Sequence, residues 1–273
     1  MVKTLPERLN MFKEHYSMID KPVVLIALIS VFSFFISSCS DDVWNDPYPP
    51  SDSDKKVFYS SFGERPKHLD PARSYSSNEW SFISQIYEPP LQYHYLQRPY
   101  ALIPLTASSM PEITYFDSEG AKILDASLVE KIAFTEYSIR IRKNIKYQPH
   151  PAFARNNSNL RYWPINEAQL KDKFSLSDFQ YTGTRELVAD DFVYQIKRLA
   201  FKPNHSPISG LMSEHIVGFK EFSDRSLKIF KNNKESGKLW TDLRTLDMDG
   251  VEIVDKYTFK VRIKKNYPQF SYW

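Results

Sequence analysis

The sequence predicts a mixed α+β fold, and three observations predict it. Two segments alternate in polarity, Tyr137–Tyr147 and Tyr257–Lys264, as half-buried strands do. Three others, Asn78–Tyr87, Asp190–Leu199 and Glu214–Asn232, space their apolar residues at the helical period. The chain also holds 19 Phe and 17 Tyr against only 7 Gly, with 42% apolar and 25% charged residues. That composition builds a core, and its aromatics favour pleated surfaces.

The first element is a leader, not part of the fold. Pro22–Ser38 is a charge-free apolar run behind Lys21, and it ends Ile36-Ser37-Ser38-Cys39. An aliphatic residue, two small residues and cysteine make the pattern of a bacterial lipobox. There the thiol takes a diacylglycerol and the leader is cut just before it. The expectation is therefore a signal peptide over 1–38 and a lipidated Cys39, with Met11 or Met18 as alternative starts. The competing reading is a transmembrane helix, for which 17 residues stand at the short limit. Cys39 is the only cysteine, so no disulfide is expected. Ser40–Lys55 carries five Asp and three Pro and reads as a solvated tether, giving a tether domain over 39–55.

Lys56–Phe62 is the first strand candidate. The Asp70-Pro71 step favours extended backbone at Asp70 with a turn after it. A helix over Asn78–Tyr87 places Trp80, Ile83 and Tyr87 on one face, with Phe82 and Ile86 beside them; Asn78 is the expected N-cap and Glu79 sits in the first turn. In Tyr137–Tyr147, Tyr137, Ile139 and Ile141 face one way and Ser138, Arg140 and Arg142 the other. Asp190 and Asp191 favour the start of the next helix. A single helix is expected over Glu214–Asn232, stopped by Ser236-Gly237. Val251–Val254 and Tyr257–Lys264 should pair as a hairpin turning at Asp255-Lys256, with Tyr257, Phe259, Val261 and Ile263 on one face.

Charge and composition exclude several functions. The net charge is +3, and without residues 1–38, which hold four basic and three acidic residues, it is +2. That is too near neutral for nucleic-acid binding. The six His show no metal-ligand spacing, and Gly183 and Gly210 stand alone rather than in a phosphate loop. Asp190-Asp191 reads as a helix-start pair rather than a catalytic dyad. Arg140, Arg142, Lys143 and Lys146 suit a solvated strand face better than an anion site. No catalytic residue, metal site or cofactor is expected from these residues.

Six segments in order carry a family resemblance: HLDPA at 68–72, IYEPPLQY at 86–93, ALIPLTASSMPEI at 101–113, YSIRIRKNIKYQ at 137–148, VADDFVYQIKRL at 188–199 and GVEIVDKYTFKVRIKKNYPQF at 250–270. Together they resemble the extracellular solute-binding proteins of family 5, the oligopeptide- and dipeptide-binding lipoproteins of ABC importers. The resemblance implies a class II periplasmic binding protein-like fold, present here in part. Residues 56–90 would open the first ligand-binding lobe; 91–273 would form the small extra domain and the return toward that lobe, without the second lobe. It implies a monomeric binding protein, not an enzyme, with an oligopeptide or similar small ligand, ABC permease subunits as partners, no nucleic acid, and an envelope location on a lipid anchor at Cys39. It also implies that Tyr75, Ser76 and Ser77, just after Leu-Asp-Pro, run beside the ligand backbone and grip it through main-chain N–H and C=O groups.

Three departures stand out. Gln148-Pro149-His150-Pro151 replaces the usual Asp-Gly. About 40 residues, Pro149 to Leu187, separate strand from helix where relatives have few. Val188 stands where Thr is common, which removes a side-chain cap. The alternatives are an envelope lipoprotein of structural or hydrolytic role, or a non-functional gene fragment.

Overall fold

The computed structural model describes residues 25, 26, 30, 54, 56, 60–125, 128–164, 167–238 and 240–272. The chain divides into two compact units, Met1–Ser61 and Phe62–Trp273. In the first, Leu25, Ile26 and Ser30 are helical and exposed. Cys39, most of the Pro22–Ser38 run and most of the tether lie outside the described residues. Among the described residues, no helix is long and apolar enough to cross a membrane.

The second unit is mixed α and β, as the patterns require. Its elements in chain order are α1 (Ser77–Ile86), β1 (Leu91–Tyr93), β2 (Leu102–Pro104), β3 (Glu112–Phe116), β4 (Lys122–Ile123), β5 (Phe134–Arg140), β6 (Arg155–Asn156), β7 (Asn159–Leu160), α2 (Glu167–Leu170), α3 (Ala189–Ala200), α4 (Ser209–His215), α5 (Phe219–Glu235), β8 (Val251–Asp255) and β9 (Thr258–Lys264). The main sheet runs β4-β3-β5-β9-β8, and each of its neighbouring pairs is antiparallel. β1 with β2 and β6 with β7 form two small hairpins.

Alternation puts Tyr137 and Ile139 of β5, and Phe259, Val261 and Ile263 of β9, in the core. Ile139 lies opposite Phe259, and Tyr137 opposite Val261. α3 lies over β8 and β9, and α4 and α5 pack beside it. They bring Val193, Met212, Phe219 and Phe222 into the same cluster. Phe192 stacks on Phe259 with centroids 5.4 Å apart. On the other face, Glu136 pairs with Lys260 at 3.0 Å and with Arg262, its cross-strand partner, at 2.9 Å.

Several boundaries differ from expectation. Lys56 and residues 60–62 are not strand, and 57–59 lie outside the described residues. β5 starts three residues earlier than its pattern and stops at Arg140; Asn144, at φ 66°, turns the chain. The hairpin turns at Lys256-Tyr257 rather than Asp255-Lys256, because the Asp255 carboxylate accepts the Tyr257 N–H at 2.7 Å and closes the turn one residue later.

The helix expected over Glu214–Asn232 is two helices. Ile216 bridges to Ile263, and the Val217 N–H donates to the Arg262 carbonyl at 3.1 Å. The chain therefore leaves the helix to extend β9's pairing, and Gly218 at φ 71° restarts it as α5. The stop at Ser236-Gly237 is as expected. α3 spans its expected segment with one residue added at each end. Its cap is supplied by Asp191, whose carboxylate accepts the Val188 N–H at 2.9 Å and pairs with Arg185.

The long Pro149–Leu187 stretch has a tight root and an open tip. Its root is a short ladder: Leu187 N–H to Ile145 carbonyl at 2.8 Å, Tyr147 N–H to Arg185 carbonyl at 3.0 Å, and His150 exchanging bonds with Gly183 at 2.8 and 3.1 Å. A Cβ on Gly183 would lie 2.3 Å from the Phe153 carbonyl oxygen, so only glycine fits there. The Arg185 guanidinium lies over Tyr147 and Phe153. Beyond the root, nearly every described residue from 155 to 182 is exposed.

Candidate functional site

The segment that follows Leu69-Asp70-Pro71 is built around one carboxylate. Glu79 sits in the first turn of α1, only 3% exposed. Its Oε1 accepts the N–H groups of Lys67 and His68 at 3.0 and 2.9 Å. Its Oε2 accepts the Ser74 hydroxyl at 2.8 Å and the N–H groups of Tyr75 and Ser76 at 3.2 and 3.4 Å. Five donors from two stretches of chain thus converge on one side chain, and a buried carboxylate is stable only when satisfied in this way. The pKa of Glu79 falls to about 2. The Ser74 hydroxyl contributes most; loss of solvent opposes it, and the His68, Ser76 and Tyr75 hydrogen bonds lower it further.

A second carboxylate ties the same loop to the core. Asp70 accepts the Ala72 N–H at 3.0 Å, which forms the turn after the Asp-Pro step. Both its oxygens also pair with the guanidinium of Arg198 on α3, at 2.9 and 2.5 Å. Burial raises the Asp70 pKa, but the Arg198 and Ala72 hydrogen bonds outweigh it, and the net shift is downward. Arg198 is shifted upward, chiefly by its hydrogen bonds to Asp70. Bidentate pairing of this kind fixes orientation as well as distance.

These anchors leave the candidate residues Tyr75, Ser76 and Ser77 on the surface. Tyr75 is 82% exposed. Ser76 is the N-cap of α1, two residues before the expected Asn78, and Ser77 is the first helical residue. The helix docks through Glu79 and Ile83, one turn apart and both buried. Trp80 and Ile86, expected on the inner face, are 62% and 57% exposed, because the Glu79 bonds set the rotation of the helix. The Tyr75 and Ser76 N–H groups already donate to Glu79. What Tyr75 offers a ligand is its carbonyl, which takes no hydrogen bond among the described residues, and its phenol.

The other candidates are absorbed by structure. Arg142 donates to the carbonyls of Ala107 at 3.0 Å and Pro104 at 3.3 Å, and Lys143 lies over the Tyr257 ring. His94 and His150 accept nearby backbone N–H groups, and His215 stacks on Tyr267 at 3.8 Å. Among the described residues, no group of three His, Cys, Asp or Glu side chains could hold a metal ion. Sequence reasoning placed Glu79 in the first turn but missed its wider role. The signal was the Ser76-x-x-Glu79 spacing of a capping box.

No family model matches the chain, and no curated protein matches it. Solved structures similar to part of it include three peptide-binding or transport proteins. They are the pheromone receptor PrgZ, described with its mode of peptide binding (18% identity, TM-score 0.38), OppA of Listeria monocytogenes bound to peptide (14%, 0.38), and the substrate-binding domain of an oligopeptide ABC transporter from Bacillus anthracis (14%, 0.36). Each similarity covers 74% of this chain. The chain spans about a quarter of the length of these proteins, 26%, 26% and 25% respectively.

Proposed function

We propose that this chain is the N-terminal part of a lipid-anchored solute-binding protein that captures peptides in the cell envelope for an ABC importer. The observation that carries this reading is the Lys67–Ser77 loop. It is fixed from beneath by Glu79 and from the side by Asp70–Arg198, yet presents Tyr75, Ser76 and Ser77 outward. A loop held so firmly, with three exposed residues and the Tyr75 carbonyl open, suits one wall of a ligand site. The six segments that resemble peptide-binding lipoproteins run in order along the same unit. ATP hydrolysis would fall to other subunits, and the mechanism would be hinge closure of two lobes over the ligand.

The reading implies that the wall alone binds weakly, since a site usually encloses roughly 70–90% of a small ligand. Calorimetric titration with a mixture of short peptides tests it. The chain joined to a second lobe should bind, while the 273-residue chain alone should bind at least about 100-fold more weakly. Micromolar binding by the 273-residue chain would show a self-sufficient module and sink the two-lobe reading. A separate test addresses the anchor. Several acyl chains hold a protein stably on a bilayer, so Cys39→Ser should move the protein to the soluble fraction. A variant that stays with the membrane would make Pro22–Ser38 a true span.

A further inference from the structure

We infer that Glu79 is a positioning residue for ligand binding: it sets the shape of the Ser74–Ser77 wall and decides which main-chain groups that wall can offer. This rests on the reading of the wall as ligand-facing. The geometry is specific. One carboxylate oxygen holds Lys67 and His68, the other holds Ser74, Tyr75 and Ser76. The segment entering the loop and the segment leaving it are thereby clamped to the same group, 11 and 12 residues apart on one side and 3 to 5 on the other. A ligand has little to order on arrival, which is where preorganised sites gain affinity.

The clamp also selects. With the Tyr75 and Ser76 N–H groups engaged, a ligand meeting Tyr75 finds an acceptor, so it must bring a donor there. Glutamine at 79 cannot replace the carboxylate, because its amide nitrogen is a donor facing donors. Aspartate is shorter by one methylene and cannot reach both stretches at once.

The test is NMR titration of the 273-residue chain with tri-alanine at millimolar concentration, where the binding of a single wall is visible. Saturable shifts are expected at the amides of residues 74–78. In Glu79→Gln, tri-alanine binding should weaken about tenfold or more, equivalent to about 1.4 kcal/mol, while the β5 and β9 amide signals stay in place. Glu79→Asp should fall between. Ser74→Ala removes one of the five bonds and leaves the carboxylate, so it serves if Glu79→Gln fails to fold; a loss of about threefold is expected. Unchanged affinity in variants that retain the sheet signals would overturn the inference and leave the wall as a ligand site. If tri-alanine shifts no amide of 74–78 in the wild-type chain, the ligand reading itself fails, and this inference with it.

Discussion

The sheet–helix core and the Lys67–Glu79 loop are held by different means. In the core, many apolar side chains share the load: Tyr137, Phe219, Phe222, Val261 and Ile263 are each at most 2% exposed. In the loop, one carboxylate gathers five donors. The difference teaches where the molecule is redundant and where it is not. A core that loses a methyl group repacks in part. A loop that loses the Glu79 carboxylate leaves five part-buried donors without their acceptor, and each one that water does not reach carries a desolvation penalty. The first arrangement gives stability, and the second gives a defined surface.

The comparison can be broken from the core side first. Phe219 is fully buried at the start of α5. Phe219→Ala should destabilise the fold by about 3–5 kcal/mol, read from urea unfolding. A loss under about 1 kcal/mol would show that the cluster around α5 is not the core.

A smaller effect, with a distinct pH signature, belongs to Glu79. Its folded-state pKa is about 2, below the ordinary 4.5. A depressed carboxylate stabilises the fold fully above its unfolded pKa, and that contribution is lost as pH falls toward the folded value. Wild-type stability should therefore drop between about pH 4.5 and pH 2, and Glu79→Gln should flatten that part of the profile. A variant whose acid profile matches wild type would remove Glu79 as the clamp.

The smallest effect is expected at the tip of the 150–183 excursion. Replacing residues 156–181 by a short Gly-Ser linker keeps the root ladder and removes the β6–β7 hairpin, with the Arg161 N–H bond to the Ala154 carbonyl, and the edge-to-face contact of Trp163 with Trp240. Such a contact is worth about 0.5–1.5 kcal/mol, so thermal unfolding should shift by only a few degrees. Collapse of the fold would mean that the tip belongs to the core.

How far the sequence reveals this follows from the reach of each interaction. The β8–β9 hairpin was legible because alternation is local, and Phe259, Val261 and Ile263 are buried as their spacing requires. Its turn was misplaced by one residue, since a side-chain bond from Asp255 settles it. The break between α4 and α5 was hidden because Ile216 and Val217 continue an apolar stripe while in fact pairing with β9; Gly218 was the one local hint. The outward turn of Trp80 was not legible at all. It follows from Glu79 reaching Lys67 and His68, a contact that periodicity within the helix does not contain. Tyr75, Ser76 and Ser77 are exposed, and the engagement of two of their N–H groups by Glu79 is a contact that the local sequence does not contain.

The most direct test of the central claim is amide hydrogen exchange at Tyr75 and Ser76. Both residues are exposed, and Ser76 precedes the first helical turn, so a loop without the clamp would exchange its amides freely. With their N–H groups held by Glu79, both amides should be protected by at least about tenfold in the ligand-free chain, and Glu79→Gln should abolish that protection without altering exchange in β5 and β9. Free exchange at Tyr75 and Ser76 in the wild-type chain would contradict the account.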